Sequence, residues 1–333
     1  MGLLFLDGEF IITHCPGGII MLSLKPVMLF IWQNIPIFLI WLTGLSMMDT
    51  ALHRVIPPLT FVSWLALVPL FTSLILLAFA LRNHQNGFRL KRYLLWVSAL
   101  AGVYAITMFL RTTAPLPMNT HRLLYETSAI FEFIIIVLHA RTWLKGWSWL
   151  WVFGFTLFFG MILENGGIIM GFFREEGYFL YLPGLPAPIA TMIGWVNILY
   201  CGFFSVEKLL PELRPVLRGL VCTGIALSMD IPFDPVATRL SWWVWNDALT
   251  MSIWGVPIVN YVAWFWALFP YAWCYFALRN KKGLTERNKI KLFLGLVPLI
   301  LVLELAGVVV SLVIIGDKRA FEIVLHFFKS LMT

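Results

Sequence analysis

The sequence predicts an all-α fold, a polytopic transmembrane helical bundle of about eight to nine spans, and three observations predict it. Of the 333 residues, 60% are hydrophobic and only 12% charged, against roughly 25% charged in a soluble domain. Mean hydropathy is +0.87. The apolar residues recur in blocks of about 17 to 25, each long enough to cross about 30 Å of hydrocarbon as a helix. No fixed-period repeat divides the chain, so residues 1–333 read as a single integral membrane domain.

Residues 1–26 are weakly patterned and interrupted by Pro16, Gly17 and Gly18, which predicts an N-terminal interfacial or re-entrant segment. This stretch carries Asp7 and Glu9, and no small-residue cleavage site stands out before Asp49, so the first block reads as an uncleaved span. Nine spans follow, at 27–48, 59–81, 93–112, 123–140, 147–163, 188–206, 212–229, 256–278 and 292–315. Pro232 and Pro235 are expected to stop the seventh and hold a rigid turn. A final stretch, 320–331, is too short to cross and mixes Phe with Glu322, His326 and Lys329, the pattern of an interfacial helix.

Net charge is +7, and fifteen of the 24 Lys and Arg residues fall in connections 82–92, 141–145, 207–218 and 279–291. Basic residues in alternate short loops belong to membrane topology and anionic headgroups rather than to nucleic acid. By that rule the N-terminus lies inside. The two longest connections, 164–187 and 230–255, then share the outer face and are expected to be functional loops. Cys15, Cys201, Cys222 and Cys274 are dispersed, and the six His residues form no HxxxH or HxxH box, so neither zinc nor di-iron ligation is indicated. GxGxxG, P-loop and GxSxG motifs are missing as well, which argues against nucleotide and serine-hydrolase chemistry.

Acids at or within the spans carry the chemistry, because a carboxylate in hydrocarbon must be paired, hydrated or protonated. Glu164 opens the first loop, followed by the GxxxG spacing of Gly167 and Gly171 and by the aromatic run that includes Phe172, Phe173, Tyr178 and Tyr181. It either acts as a general acid or ends a helix beside an Arg. Asp230 and Asp234 sit close together at the second loop, where two neighbouring carboxylates form a proton donor and acceptor pair. Arg239 is placed to balance or neutralise them. Asn260 and Trp264 share a helical face, and Trp242 and Trp243 serve either the site or an aromatic belt. Glu126 and Glu132 lie in the fourth span, six apart and therefore on different faces, and Glu304 lies deep in the ninth as a structural or catalytic acid.

These clusters resemble the carotenoid biosynthesis protein family that includes bisanhydrobacterioruberin hydratase and gamma-carotene hydratase. The resemblance rests on Glu164 to Tyr181, on Gly184, Pro186, Gly194 and Trp195, on the Asp-x-Pro-x-Asp-Pro-Val-Ala-x-Arg run from Asp230 to Arg239, and on Gly255 to Trp264 with Asn260 at its centre. It spans about 123–278 and departs at Ile169, Met170, at the charged triplet Arg174, Glu175, Glu176, and at Ala263.

The resemblance implies addition of water to the terminal isopropylidene double bond of a linear carotenoid in a bacterial or archaeal cytoplasmic membrane, with no cofactor. Glu164 or Asp230 would supply the proton and Asp234 the base, with Arg239 and Asn260 orienting. Glu126, Glu132, Phe172, Tyr181, Trp195, Trp243 and Trp264 would contact the substrate. The alternative reading is a non-catalytic subunit that holds a carotenoid, another long isoprenoid or membrane lipid within a larger membrane complex.

Overall fold

A computed structural model describes residues 2–6, 9–13, 20–23, 25–53, 64–82, 117–144, 146, 148–279 and 281–332. The expected span 93–112 and residues 83–92 of the first basic connection lie outside the described residues. Among the described residues there are ten helices: α1 Lys25–Gln33, α2 Ile35–His53, α3 Leu67–Arg82, α4 Met118–Trp143, α5 Thr156–Met170, α6 Ile189–Leu209, α7 Pro215–Arg239, α8 Ile258–Arg279, α9 Glu286–Ile315 and α10 Lys318–Met332. A wider π turn, Leu150–Phe155, leads into α5.

Among the described residues six helices are long and apolar enough to cross a membrane: Asn119–Trp143, Val152–Met170, Ile189–Leu209, Pro215–Arg239, Ile258–Arg279 and Glu286–Ile315. Ile35–Met47 and Leu67–Ala80 are shorter apolar helices. The outward face of α9 is greasy, with Val302, Val313 and Ile314 61%, 64% and 78% exposed, which suits lipid and not water. The chain is an integral membrane protein.

The N-terminal segment departs from the interfacial or re-entrant expectation. Strands β1 Gly2–Leu6, β2 Glu9–Thr13 and β3 Ile20–Ser23 form an antiparallel sheet in the order β1-β2-β3. The first expected span is also broken: Asn34 lies between α1 and α2 and its side chain donates to the Phe30 carbonyl at 2.8 Å. Pro36 supplies no N–H to continue α1.

Helix α6 is the centre of the bundle. It packs against α4, α5, α7 and α2, while α8 bridges α7 and α9. Gly160 permits the α5–α6 contact, since a Cβ there would lie 2.7 Å from Trp195 Cβ and 2.9 Å from the Met192 carbonyl.

The seventh span corrects the sequence reading, because α7 continues to Arg239 with Pro232 and Pro235 inside it. Proline's fixed φ is compatible with a helix; what it removes is a donor, here those owed to the Ser228 and Ile231 carbonyls. In an apolar setting the remaining backbone bonds are costly to break, so the helix persists. Likewise α5 runs to Met170, placing Glu164 within a helix rather than at its end. Gly171 then closes α5 at φ +84°, a left-handed cap that favours glycine.

Candidate active site

The two long loops are joined at one end of the bundle. Strand β4, Phe173–Arg174, pairs antiparallel with β5, Val244–Trp245. Asn246 reinforces the join through its backbone N–H to the Phe172 carbonyl at 2.9 Å and its side chain to the Gly171 carbonyl at 2.8 Å. Helix α4 ties both loops down. Its Arg122 donates to the Ser241 carbonyl at 2.8 Å and lies against Gly177, where φ is +78°. One turn on, the Glu126 carboxylate accepts from the N–H groups of Phe179 and Leu180 at 2.9 to 3.1 Å. Asn165 holds the far end of the first loop by accepting from Ala187 N–H at 3.0 Å.

Beneath this cap lies a cavity of about 970 Å³. Its walls come from α2 and α4 to α9, and Val324, Phe327 and Phe328 of α10 border it. Glu132, Glu164, Glu175, Asp230, Asp234 and Glu304 all line it, and among the described residues no Lys or Arg does. Acids gathered in an apolar space without cations must balance charge with protons.

Several of these acids are held in place. Trp195 Nε1 donates to Glu164 Oε1 at 2.6 Å, and the Trp195 ring stacks on Trp264 with centroids 4.2 Å apart. Asp230 and Asp234 stand four apart on α7, on one face, close enough that each carboxyl acts on the other. Two carboxyls this close in an apolar space share a proton. Asn260 Nδ2 donates to Asp234 Oδ2. Glu132 faces Asn197, whose Nδ2 lies 3.5 Å from Oε2.

The fifth acid of the group comes from the loop. Glu175 is 6% exposed and accepts from Thr191 Oγ1 at 3.3 Å. Burial, and next the negative field of Glu164, hold its carboxyl well above the ordinary carboxylate range. Burial raises the neighbouring Tyr178 and Tyr181 phenols as well.

An aromatic wall faces the Asp pair. Tyr125 stacks on Trp242 at 4.7 Å, and Phe233 packs against Tyr125, Trp242 and Trp243 at 5.5 to 5.6 Å. Trp242 and Trp243 are 5% and 8% exposed, so they belong to this wall and not to a headgroup belt.

A family model described as carotenoid biosynthesis protein matches residues 125–326, more than half of the chain. The chain belongs to the carotenoid biosynthesis protein family. The match begins at Tyr125 on the aromatic wall, takes in all six cavity acids, and ends in α10. No curated protein and no solved structure matches the chain.

In this carotenoid biosynthesis protein Glu164, Asp230, Asp234, Asn260, Glu132, Phe172, Trp195, Trp243 and Trp264 all line one cavity. Three other residues singled out from the sequence do not. Arg239 is exposed at the end of α7, because the continued helix carries it five residues beyond Asp234 toward the loop end. Glu126 is spent on the loop backbone. Tyr181 is 37% exposed, its hydroxyl donating to the Glu175 carbonyl at 3.2 Å.

The family member's Glu175 was readable only as part of a charged triplet. In an extended segment alternate side chains oppose each other, so Arg174 and Glu176 pair at the surface at 3.8 Å while Glu175 turns inward. Alternation with Phe173, two residues earlier, was the available signal.

Proposed function

We propose that the protein adds water to the terminal isopropylidene double bond of a linear carotenoid. A role in carotenoid biosynthesis follows from the family; the reaction is our reading of the cavity. The observation that carries it is the gathering of six carboxyls, with no Lys or Arg among the described residues, between aromatic walls in an apolar space. Hydration of an unactivated alkene needs a strong proton source, shelter for a carbocation, and a base for the incoming water.

In this reading a carboxylic acid, Glu164 or the protonated member of the Asp230–Asp234 pair, delivers its proton to the less substituted alkene carbon. The π bond breaks, a C–H bond forms, and a tertiary cation remains on the neighbouring carbon. The faces of Trp264, Trp243 and Trp242 stabilise that cation through their π electrons. A water oxygen then forms the C–O bond as Asp234, oriented by Asn260, takes the water's proton. One proton enters and one leaves, so nothing is oxidised and no electron carrier is required.

The polyene would lie between the helices with its reacting end toward the joined loops, where Glu175 lies nearest to water. The test is purified protein incubated with a linear carotenoid, reading a more polar product heavier by one water. Asp234→Asn and Glu164→Gln should each lower turnover by about 10²-fold or more, the range of general acid–base catalysis, with binding retained. Wild-type turnover in both variants would refute the assignment. Carotenoid binding without product would favour a non-catalytic holder of pigment.

A further inference from the structure

Four of the six cavity acids accept a side-chain hydrogen bond, Glu164 from the Trp195 indole, Asp234 from the Asn260 amide, Glu132 from the Asn197 amide and Glu175 from the Thr191 hydroxyl, and Asp230 lies beside Asp234. Glu304 differs. Its Oε2 is buried and has no hydrogen-bond partner among the described residues, and no other ionisable group acts on it.

Its setting is unlike theirs. Leu301 and Val308 stand one turn away on α9 and Leu305 beside it, all lining the cavity with it, while Val302 and Leu303 turn outward. The carboxyl is therefore directed inward. It lies eleven residues before the end of α9, about 16 Å along the axis at 1.5 Å per residue, well below the loop cap. Ala263 and Ala267 of α8 border the same cavity and offer no side-chain donor.

A buried polar atom without a partner in an intramembrane pocket asks for a partner that arrives with the ligand. In a hydrocarbon-lined wall that partner must be carried on an apolar chain. We propose that Glu304 forms a second polar subsite that recognises a hydroxyl group on an isoprenoid ligand. A hydroxyl suits a carboxyl in either protonation state, since it donates and accepts. The subsite gives the cavity two poles, a reacting one near the loops and a recognising one deeper in the bundle. It rests on the isoprenoid reading of the cavity but not on hydration chemistry.

The test is a binding competition that reads no turnover. A linear carotenoid hydrocarbon quenches the fluorescence of the cavity tryptophans, and a C20 isoprenoid alcohol competes against the hydrocarbon of the same length. The wild-type protein should bind the alcohol about tenfold more tightly, the worth of one hydrogen bond of roughly 1.4 kcal/mol. Glu304→Leu should erase that preference, Glu304→Gln should keep part of it, and Asp234→Asn should leave it in place.

Equal affinity of the wild-type protein for the two competitors, or a preference that survives Glu304→Leu, would overturn the proposal. The hydratase reading fails separately. A protein that prefers the alcohol through Glu304 but never hydrates a carotenoid keeps the subsite and loses the reaction, and hydration without the preference does the reverse.

Discussion

Trp195 holds Glu164 across the α5–α6 contact, its indole N–H donating to Oε1 at 2.6 Å. The same ring stacks on Trp264, so the acid's direction is set by a side chain that is itself clamped. Trp195→Phe keeps a ring in the stack and removes the donor. Leaving that oxygen without a partner should cost about 1–3 kcal/mol, seen as a lower melting temperature in detergent, and turnover should fall more than binding. Unchanged stability and turnover would mean that the bond does not position Glu164.

Glu126 acts on the loop and not on the ligand. Its carboxylate takes the N–H groups of Phe179 and Leu180, donors that a turn has no other means of satisfying. In Glu126→Ala those amides should exchange hydrogen at least about fivefold faster, since each lost bond contributes roughly 1 kcal/mol or more. Exchange at 189–209 should be unaffected. Protection that is the same with and without the carboxylate would contradict the anchoring role.

Gly160 tests the close approach of two spans. A Cβ at this position would meet backbone and the root of Trp195 below 3.0 Å, and neither can swing aside. Gly160→Ala should destabilise by about 1–3 kcal/mol, the usual result of overpacking, and should shift Trp195 away from Glu164. Gly224→Ala is the control. Nothing lies within 4 Å of its added Cβ, so the gain in helix propensity, about 1 kcal/mol, should stabilise the protein.

Glu175 gives stability a pH dependence whose sign is determined by its raised value. Burial and the field of Glu164 make the folded protein bind this proton more tightly than the unfolded chain does. The stabilisation is therefore complete below the ordinary glutamate value of about 4.3 and is lost as pH rises through the higher folded value. Relative to Glu175→Gln, which cannot titrate, the wild-type melting temperature should fall as pH increases above that point. A constant difference between the two proteins across pH would show that Glu175 does not titrate in the fold.

The bundle was legible because crossing hydrocarbon demands long apolar runs, and these stand out from α4 to α9. The site was legible where acids interrupted those runs, as at Glu132, Glu164 and Asp234. What misled was a rule suited to water. Pro232 and Pro235 read as a stop, yet α7 passes through them, and this continuity is what puts Asp230 and Asp234 on one face and carries Arg239 away. Glu175 was hidden because a charged triplet looks solvated until its extended geometry is known. The N-terminal strands had their own signal, Asp7-Gly8 between two apolar runs, a hairpin pattern overshadowed by the membrane character of the rest.

The most direct measurement follows oxygen. Purified protein is given a linear carotenoid in heavy-oxygen water under ordinary oxygen gas, and the product is analysed by mass spectrometry. Acid-catalysed hydration predicts label in a tertiary hydroxyl at the chain end, with label lost in Asp234→Asn. Unlabelled hydroxyl, or bound carotenoid recovered unchanged, would contradict it.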